Sequence, residues 1–136
     1  METKHLTPIL NVSSVDDSVR WFAKLGWKTS FTWGEPTSFG GVVNGDVEIF
    51  MCLDGQGSRG KGINTATFGT QSDESADKGV WISLWVDNVD DVYKECIDND
   101  IEVTFIPTDM PWNVREMHMR HPDGHVFRVG HAINHN

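Results

Sequence analysis

A six-residue pattern, V-x-x-V-D-D, occurs twice in this 136-residue chain: Val12-Ser13-Ser14-Val15-Asp16-Asp17 and, 74 positions later, Val86-Asp87-Asn88-Val89-Asp90-Asp91. Such self-similarity marks one supersecondary unit used twice, which narrows the possible folds more than any other feature here. The same offset carries Trp27 to Ile101 and Phe31 to Phe105, so each copy is expected to run strand, helix, strand. A second echo sets Asn44-Gly45-Asp46-Val47 against Asp123-Gly124-His125-Val126, at an offset of 79. Each is a turn-forming pair between two β-prone runs, as in a hairpin.

Local chemistry fits that layout. Ser14 with Asp17, and Asn88 with Asp91, have the form of helix N-caps followed by an acidic first turn. Val15, Val19, Phe22 and Leu25 then recur at helical spacing, as do Val89, Val92, Cys96 and Ile97, so one face of each helix is expected to be buried. Gly26 ends the first helix and Asn99-Asp100 the second. Further strands are expected over 40–43, 47–53, 80–86, 114–120 and 126–130. Residues 54–78 are rich in Gly, Ser, Thr and Asp and lack an apolar period. They read as a connector, either a linker or a flap over a ligand site. The expected organisation is a single α+β domain over 1–136. Its first βαβββ module covers about 4–54, the connector about 55–78 and the second module about 79–133.

Composition excludes several classes. A net charge of −9 opposes nucleic acid and anionic membranes and would attract a cationic ligand, although acidity also serves simply to keep a protein in solution. No apolar run approaches the roughly 18 residues that span a bilayer, and the N-terminus lacks the order of a signal peptide. A cytoplasmic location is expected. Cys52 and Cys96 sit apart in apolar stretches and read as free thiols rather than a disulfide or zinc knuckle. There is no G-x-S-x-G, P-loop or C-x-x-C.

Paired βαβββ modules with these signatures resemble the vicinal oxygen chelate superfamily, which includes glyoxalase I, extradiol dioxygenases, fosfomycin-resistance enzymes and bleomycin-binding proteins. The likeness is strongest to bleomycin-resistance proteins. It runs through Thr7-Pro8-Ile9-Leu10, Phe39-Gly40-Gly41-Val42-Val43 and Pro111-Trp112-Asn113-Val114-Arg115-Glu116, followed by His121-Pro122-Asp123-Gly124. The resemblance implies a curved mixed sheet around a cleft with helices on the convex face. It also implies that the P-W-x-x-R-E stretch, here with one residue inserted before the Arg, opens a strand bordering the ligand groove. A homodimer completing two grooves is implied as well, and Pro8 is similar to a family feature linked to N-terminal strand exchange, although proline is also tolerated at any strand start.

Metal-dependent members place one His or Glu on the first and last strand of each module. Counting from the helices and the glycine turns puts Thr7, Ile49, Trp81 and Arg128 at those positions, a set that cannot hold a divalent ion. A one-residue shift would bring in Glu48 beside Ile49, and His5 would share a face with Thr7. Neither helps the second module. His5, His118, His121, His125, His131 and His135 show no ligand spacing and read as surface or turn residues. No cofactor and no metal are expected.

In the fifth strand Val80, Ile82, Leu84 and Val86 form one face, and Trp81, Ser83 and Trp85 the other. With the aliphatic face on the helices, the tryptophans would turn to the cleft, near Phe39, Trp112 and Trp33 on a preceding turn. Filling a core or an interface is their other reading. Trp21 and Trp27 are assigned to packing. Arg128 could bind an anionic ligand group or pair with a carboxylate such as Glu116; Asp109 and Glu116 could attract a cation or simply be solvated.

The ligand-binding set is therefore Trp33, Phe39, Trp81, Ser83, Trp85, Trp112, Arg115 and Arg128, with no catalytic residue. The expected function is sequestration of a bulky aromatic, cationic small molecule such as a bleomycin-type antibiotic, giving resistance without turnover. The alternatives are a metal-dependent lyase, isomerase or dioxygenase using His5, Glu48 and His118, and a protein that binds partners through an open sheet.

Overall fold

In a computed structural model, which describes residues 1–53 and 79–133, the chain divides into two compact units, Met1–Glu74 and Ser75–Asn136. The connector assigned to 55–78, with its choice of linker or flap, lies outside the described residues, as does His135.

The first unit contains β1 (Ile9–Asn11), α1 (Val15–Ala23), β2 (Lys28–Trp33), β3 (Phe39–Asn44) and β4 (Val47–Cys52), with strand order β1-β4-β3-β2. β1 runs parallel to β4 of its own chain and the other pairs are antiparallel. The second unit repeats this with β5 (Trp81–Trp85), α2 (Val89–Asp98), β6 (Glu102–Met110), β7 (Val114–Arg120) and β8 (Val126–Ala132), in the order β5-β8-β7-β6. β5 is parallel to β8. The fold is thus α+β with two tandem βαβββ modules, each a four-stranded mixed sheet carrying one helix.

Both helices start where the repeat places them. Ser14 Oγ accepts from the Asp17 amide at 3.1 Å, and Asn88 Oδ1 accepts from the Asp91 amide at 3.2 Å. The second helix has a further cap, because His131 Nδ1 on β8 accepts from the Val89 amide at 2.9 Å. Gly26 (φ +83°) and Asp100 (φ +57°) take the left-handed conformation that carries the chain out of each helix.

The buried faces differ in part from the expected ones. α1 buries Val15, Ser18, Trp21 and Phe22, while Val19 and Leu25 are only half-buried. Trp21 and Phe22 stack edge to face with centroids 4.9 Å apart, and Trp27 closes on Phe22 at 5.4 Å, which draws the stripe toward the tryptophan side. On α2, Val89 and Cys96 are buried and Ile97 is 56% exposed. Cys96 Sγ meets Met119 Sδ at 3.7 Å, so the sheet contact lies over Cys96 and turns its neighbour outward.

The cores follow strand parity. Leu10, Val42, Ile49 and Met51 face α1, and Met117, Met119, Phe127 and Val129 face α2, all essentially inaccessible. Burying such a side chain is worth about 1.5–3 kcal/mol. Both cysteines are free; Cys96 is buried and Cys52 half-buried. Among the described residues no helix is long and apolar enough to cross a membrane.

Candidate functional site

Parity that sends Met117, Met119, Phe127 and Val129 into the core sends Glu116, His118 and Arg128 to the opposite, open face of the second sheet. The parallel register Ser83↔Arg128 sets Trp81, Ser83 and Trp85 on that same face. Trp81 and Trp85 are 68% and 65% exposed, so they are not core residues of this unit.

Glu116 lies at the centre of this face and is 3% exposed. Arg128 donates to it twice, from Nη2 to Oε1 at 2.7 Å and from Nε to Oε2 at 2.8 Å. Trp112 donates its indole Nε1–H to Oε1 at 3.2 Å, and His118 Nε2 lies 2.9 Å from Oε2. The carboxylate accepts, so His118 carries its proton on Nε2. Four bonds fill the lone-pair positions of a buried carboxylate, which is the condition for keeping a charge there. The Arg128 pairing, helped by His118 and Trp112, holds the Glu116 carboxyl down at about 2. Around this network stand rings: Trp81 meets His118 edge-on at 5.2 Å and Phe105 lies 4.9 Å from it.

Arg115 is turned the other way. It shares a face with Met117, and pairs with Asp90 at the start of α2 and with Asp109 on β6, at 2.9 Å each. The structure therefore separates Arg115 from Arg128, Trp81 and Trp85.

The first unit has an aromatic open face of its own. Phe31, Phe39 and Phe50 form a triangle with centroids 5.3 to 5.7 Å apart. Trp33 is the last residue of β2 rather than part of a turn, and is 70% exposed. Phe31, Thr32, Trp33, Ser38, Phe39, Cys52 and Leu53 line an open hollow of about 520 Å³. Of the expected ligand contacts, Trp33 and Phe39 belong to this hollow, and Trp81, Ser83, Trp85, Trp112 and Arg128 to the face of the second unit.

Ile49 needs correction as a position aimed at the site: it is 1% exposed and faces α1. The bond from Val12 N to Cys52 O has its counterpart in Val86 N to Gly130 O, which makes Phe50 the equivalent of Arg128. Two residues separate Asn44 from Val47, whereas five separate Arg120 from Val126, so the two glycine turns are not equivalent and the count slipped by one. Glu48 accordingly falls on the open face with Phe50.

The corrected positions are Thr7 and Phe50 in one unit, Trp81 and Arg128 in the other. A threonine, two aromatic rings and a guanidinium do not fit a divalent ion, and Arg128 meets Glu116 with a cation already. Among the described residues no three His, Cys, Asp or Glu side chains are grouped to hold a metal.

Glu116 is central here, whereas its sequence context suggests a partner for Arg128, an attractor of a cation or a solvated carboxylate. His118, expected as a surface or turn residue or an alternative metal donor, is instead the hydrogen-bond partner of Glu116. Phe105, Phe31 and Phe50 are site-facing rings outside the expected ligand set. For β7 the signal was present, since Val114, Glu116 and His118 alternate with Met117 and Met119.

Solved structures share this architecture. TioX from Micromonospora sp. ML1 is 15% identical with a TM-score of 0.72, over 96% of this chain and 100% of that one. A bleomycin resistance determinant encoded on the transposon TN5 is 17% identical with a TM-score of 0.68, over 96% and 98%. A bleomycin-binding protein complexed with bleomycin is 16% identical with a TM-score of 0.66, over 98% and 100%. At such identities the likeness is one of fold. No curated protein matches the sequence. The family model described as Glyoxalase/Bleomycin resistance protein/Dioxygenase superfamily matches residues 3–129, nearly the whole chain, and the protein belongs to that superfamily.

Proposed function

We propose that this protein binds and sequesters a bulky, partly aromatic small molecule, cationic overall and of the bleomycin type, protecting its host cytoplasm without chemically changing the ligand. The observation that carries this reading is the open face of the second unit. Trp81, Trp85 and Trp112 stay more than half exposed around an Arg128–Glu116 pair, with Trp81 and Arg128 at the positions that correspond to ligands in metal-dependent relatives. Exposed indoles cost free energy in water and recover it by stacking, at about 0.5–1.5 kcal/mol per ring pair beyond area burial, with cation–π attraction added for a charged ligand. The chain's charge of −9 draws a cation toward the protein. Two structural neighbours are a bleomycin resistance determinant and a bleomycin-binding protein. We further propose a homodimer, in which the open faces of two copies complete the grooves.

Titrating bleomycin and a panel of flat cationic antibiotics while following tryptophan fluorescence tests the reading. Saturable quenching supports it, and survival of cells expressing the protein under the bound drug extends it to resistance. No change across the panel overturns it.

One observation favours a second reading, a metal-dependent enzyme: Glu48 faces the open side of β4. His118, a donor that this reading would draw on, has its Nε2 engaged with Glu116. Metal analysis of untagged protein decides between the two, since one tightly held divalent ion per chain belongs only to the enzyme.

A further inference from the structure

Arg128 commits only part of its hydrogen-bonding capacity. A guanidinium has five N–H groups, of which Glu116 takes the Nε–H and one Nη2–H. The other three have no partner among the described residues, and neither does the hydroxyl of Ser83, the ladder partner of Arg128. Next to them lies a dent of about 10 Å³ walled by Ser83, Trp85, Val114, Glu116, Arg128 and Gly130. That volume admits one atom-sized polar group and no ring. The dent exists because residue 130 lacks a side chain: a Cβ there would stand 3.1 Å from Val114 Cγ1 and 3.7 Å from Trp85 Cζ3.

We propose that Arg128 and Ser83 form a seat for a neutral carbonyl oxygen, of an amide or ketone, carried by the aromatic ligand that stacks on Trp81 and Trp85. The inference rests on the binding reading above and names the chemistry that the face selects. Arginine offers donors only, and the four acceptor positions of Glu116 are filled, so an ammonium finds just a hydroxyl oxygen here. A carboxylate fares worse than a neutral carbonyl, because the guanidinium charge is already balanced by Glu116. A second anion would sit beside the first, in a chain of net charge −9. The field thus favours a ligand that is cationic elsewhere, while the seat takes its carbonyl.

Four matched probes test the seat on the full chain: naphthalene, 2-naphthamide, 2-naphthoate and 2-naphthylmethylamine. Each is titrated by NMR while the tryptophan indole N–H signals are followed. The expected result is that the amide binds several-fold tighter than naphthalene, the amine and the carboxylate, as one charge-assisted hydrogen bond supplies. Gly130→Ala fills the dent and brings the amide down to the affinity of naphthalene. Ser83→Ala, at an exposed strand position, is the second variant and weakens the amide alone. If naphthalene binds but the amide has no advantage, if the amine or carboxylate matches the amide, or if the advantage survives both variants, the seat is overturned and stacking stands. If none of the four binds, the binding reading fails and the seat with it.

Discussion

Arg128 holds Glu116 across the β7–β8 ladder by two parallel hydrogen bonds of 2.7 and 2.8 Å, with the carboxylate 4% exposed and the guanidinium 30% exposed. The two residues sit two ladder positions apart, since Glu116 pairs with Gly130 and His118 with Arg128. A fork-to-fork pair of this kind fixes both rotamers. It leaves Trp112 and His118 to finish the carboxylate, so one face is both neutral and rigid.

Removing one partner should therefore cost more than removing both. Arg128→Met leaves a buried anion with only Trp112 and His118 as donors and is expected to destabilise the second unit by about 2–3 kcal/mol, below the range for fully buried pairs because Arg128 is partly solvated. The double variant Arg128→Met, Glu116→Met is expected to recover most of that loss. Urea unfolding of the single and double variants measures it, and equal losses in both would contradict the account.

Acid should weaken the fold in two steps. Burial keeps the His121 imidazole neutral, with its proton affinity down to about 4 from 6.5. The unfolded chain takes up that proton first, so stability present above pH 6.5 declines toward pH 4. The Glu116 carboxyl is lowered from 4.5 to about 2, mainly by Arg128, so its contribution is present above pH 4.5 and declines toward pH 2. His121→Asn is expected to flatten the upper step alone and Glu116→Gln the lower one. Unfolding free energies from pH 8 to pH 2.5 record both.

The repeat was legible because its evidence is local: Ser14 and Asn88 cap the next turn of chain, and the strand over 114–120 alternates within its own seven residues. What required pairing between distant strands was not. Ile49 replaced Phe50 in the count because two glycine turns looked alike although their hairpins differ in length. The ring contacts of His118 lay hidden because they come from other strands, Trp81 from β5 and Phe105 from β6, whereas Glu116 lies two residues away on its own strand. Ile97 has the spacing of a core residue, and only the seating of Cys96 on Met119 turns it outward. Arg115 carried a family-like motif, but strand parity gives it to Asp90 and Asp109 instead.

The two thiols should react at very different rates. Cys96 is inaccessible and burial pushes its thiol up to about 11, whereas Cys52 is half-buried at the end of β4 beside the open hollow. A disulfide reagent at pH 8 is expected to label one thiol per folded chain and the second only on unfolding. Cys52→Ser should abolish the first phase. Two equal fast phases would mean that α2 is not seated on β7.

The tryptophans divide in the same way, and the division joins structure to function. Trp21 and Trp27 are buried, while Trp33, Trp81, Trp85 and Trp112 expose more than half of their surface. In the free protein acrylamide should quench four of the six indoles readily and leave two protected. A ligand that stacks on the second unit should protect Trp81 and Trp85. Each of Trp81→Ala and Trp85→Ala is expected to weaken such a ligand by about two- to tenfold, the equivalent of one ring pair. Stability should change by no more than about 0.5 kcal/mol, because neither ring is packed in the core. A large stability loss in these variants, with ligand affinity unchanged, would show the two rings to be structural and leave the binding face without its anchors.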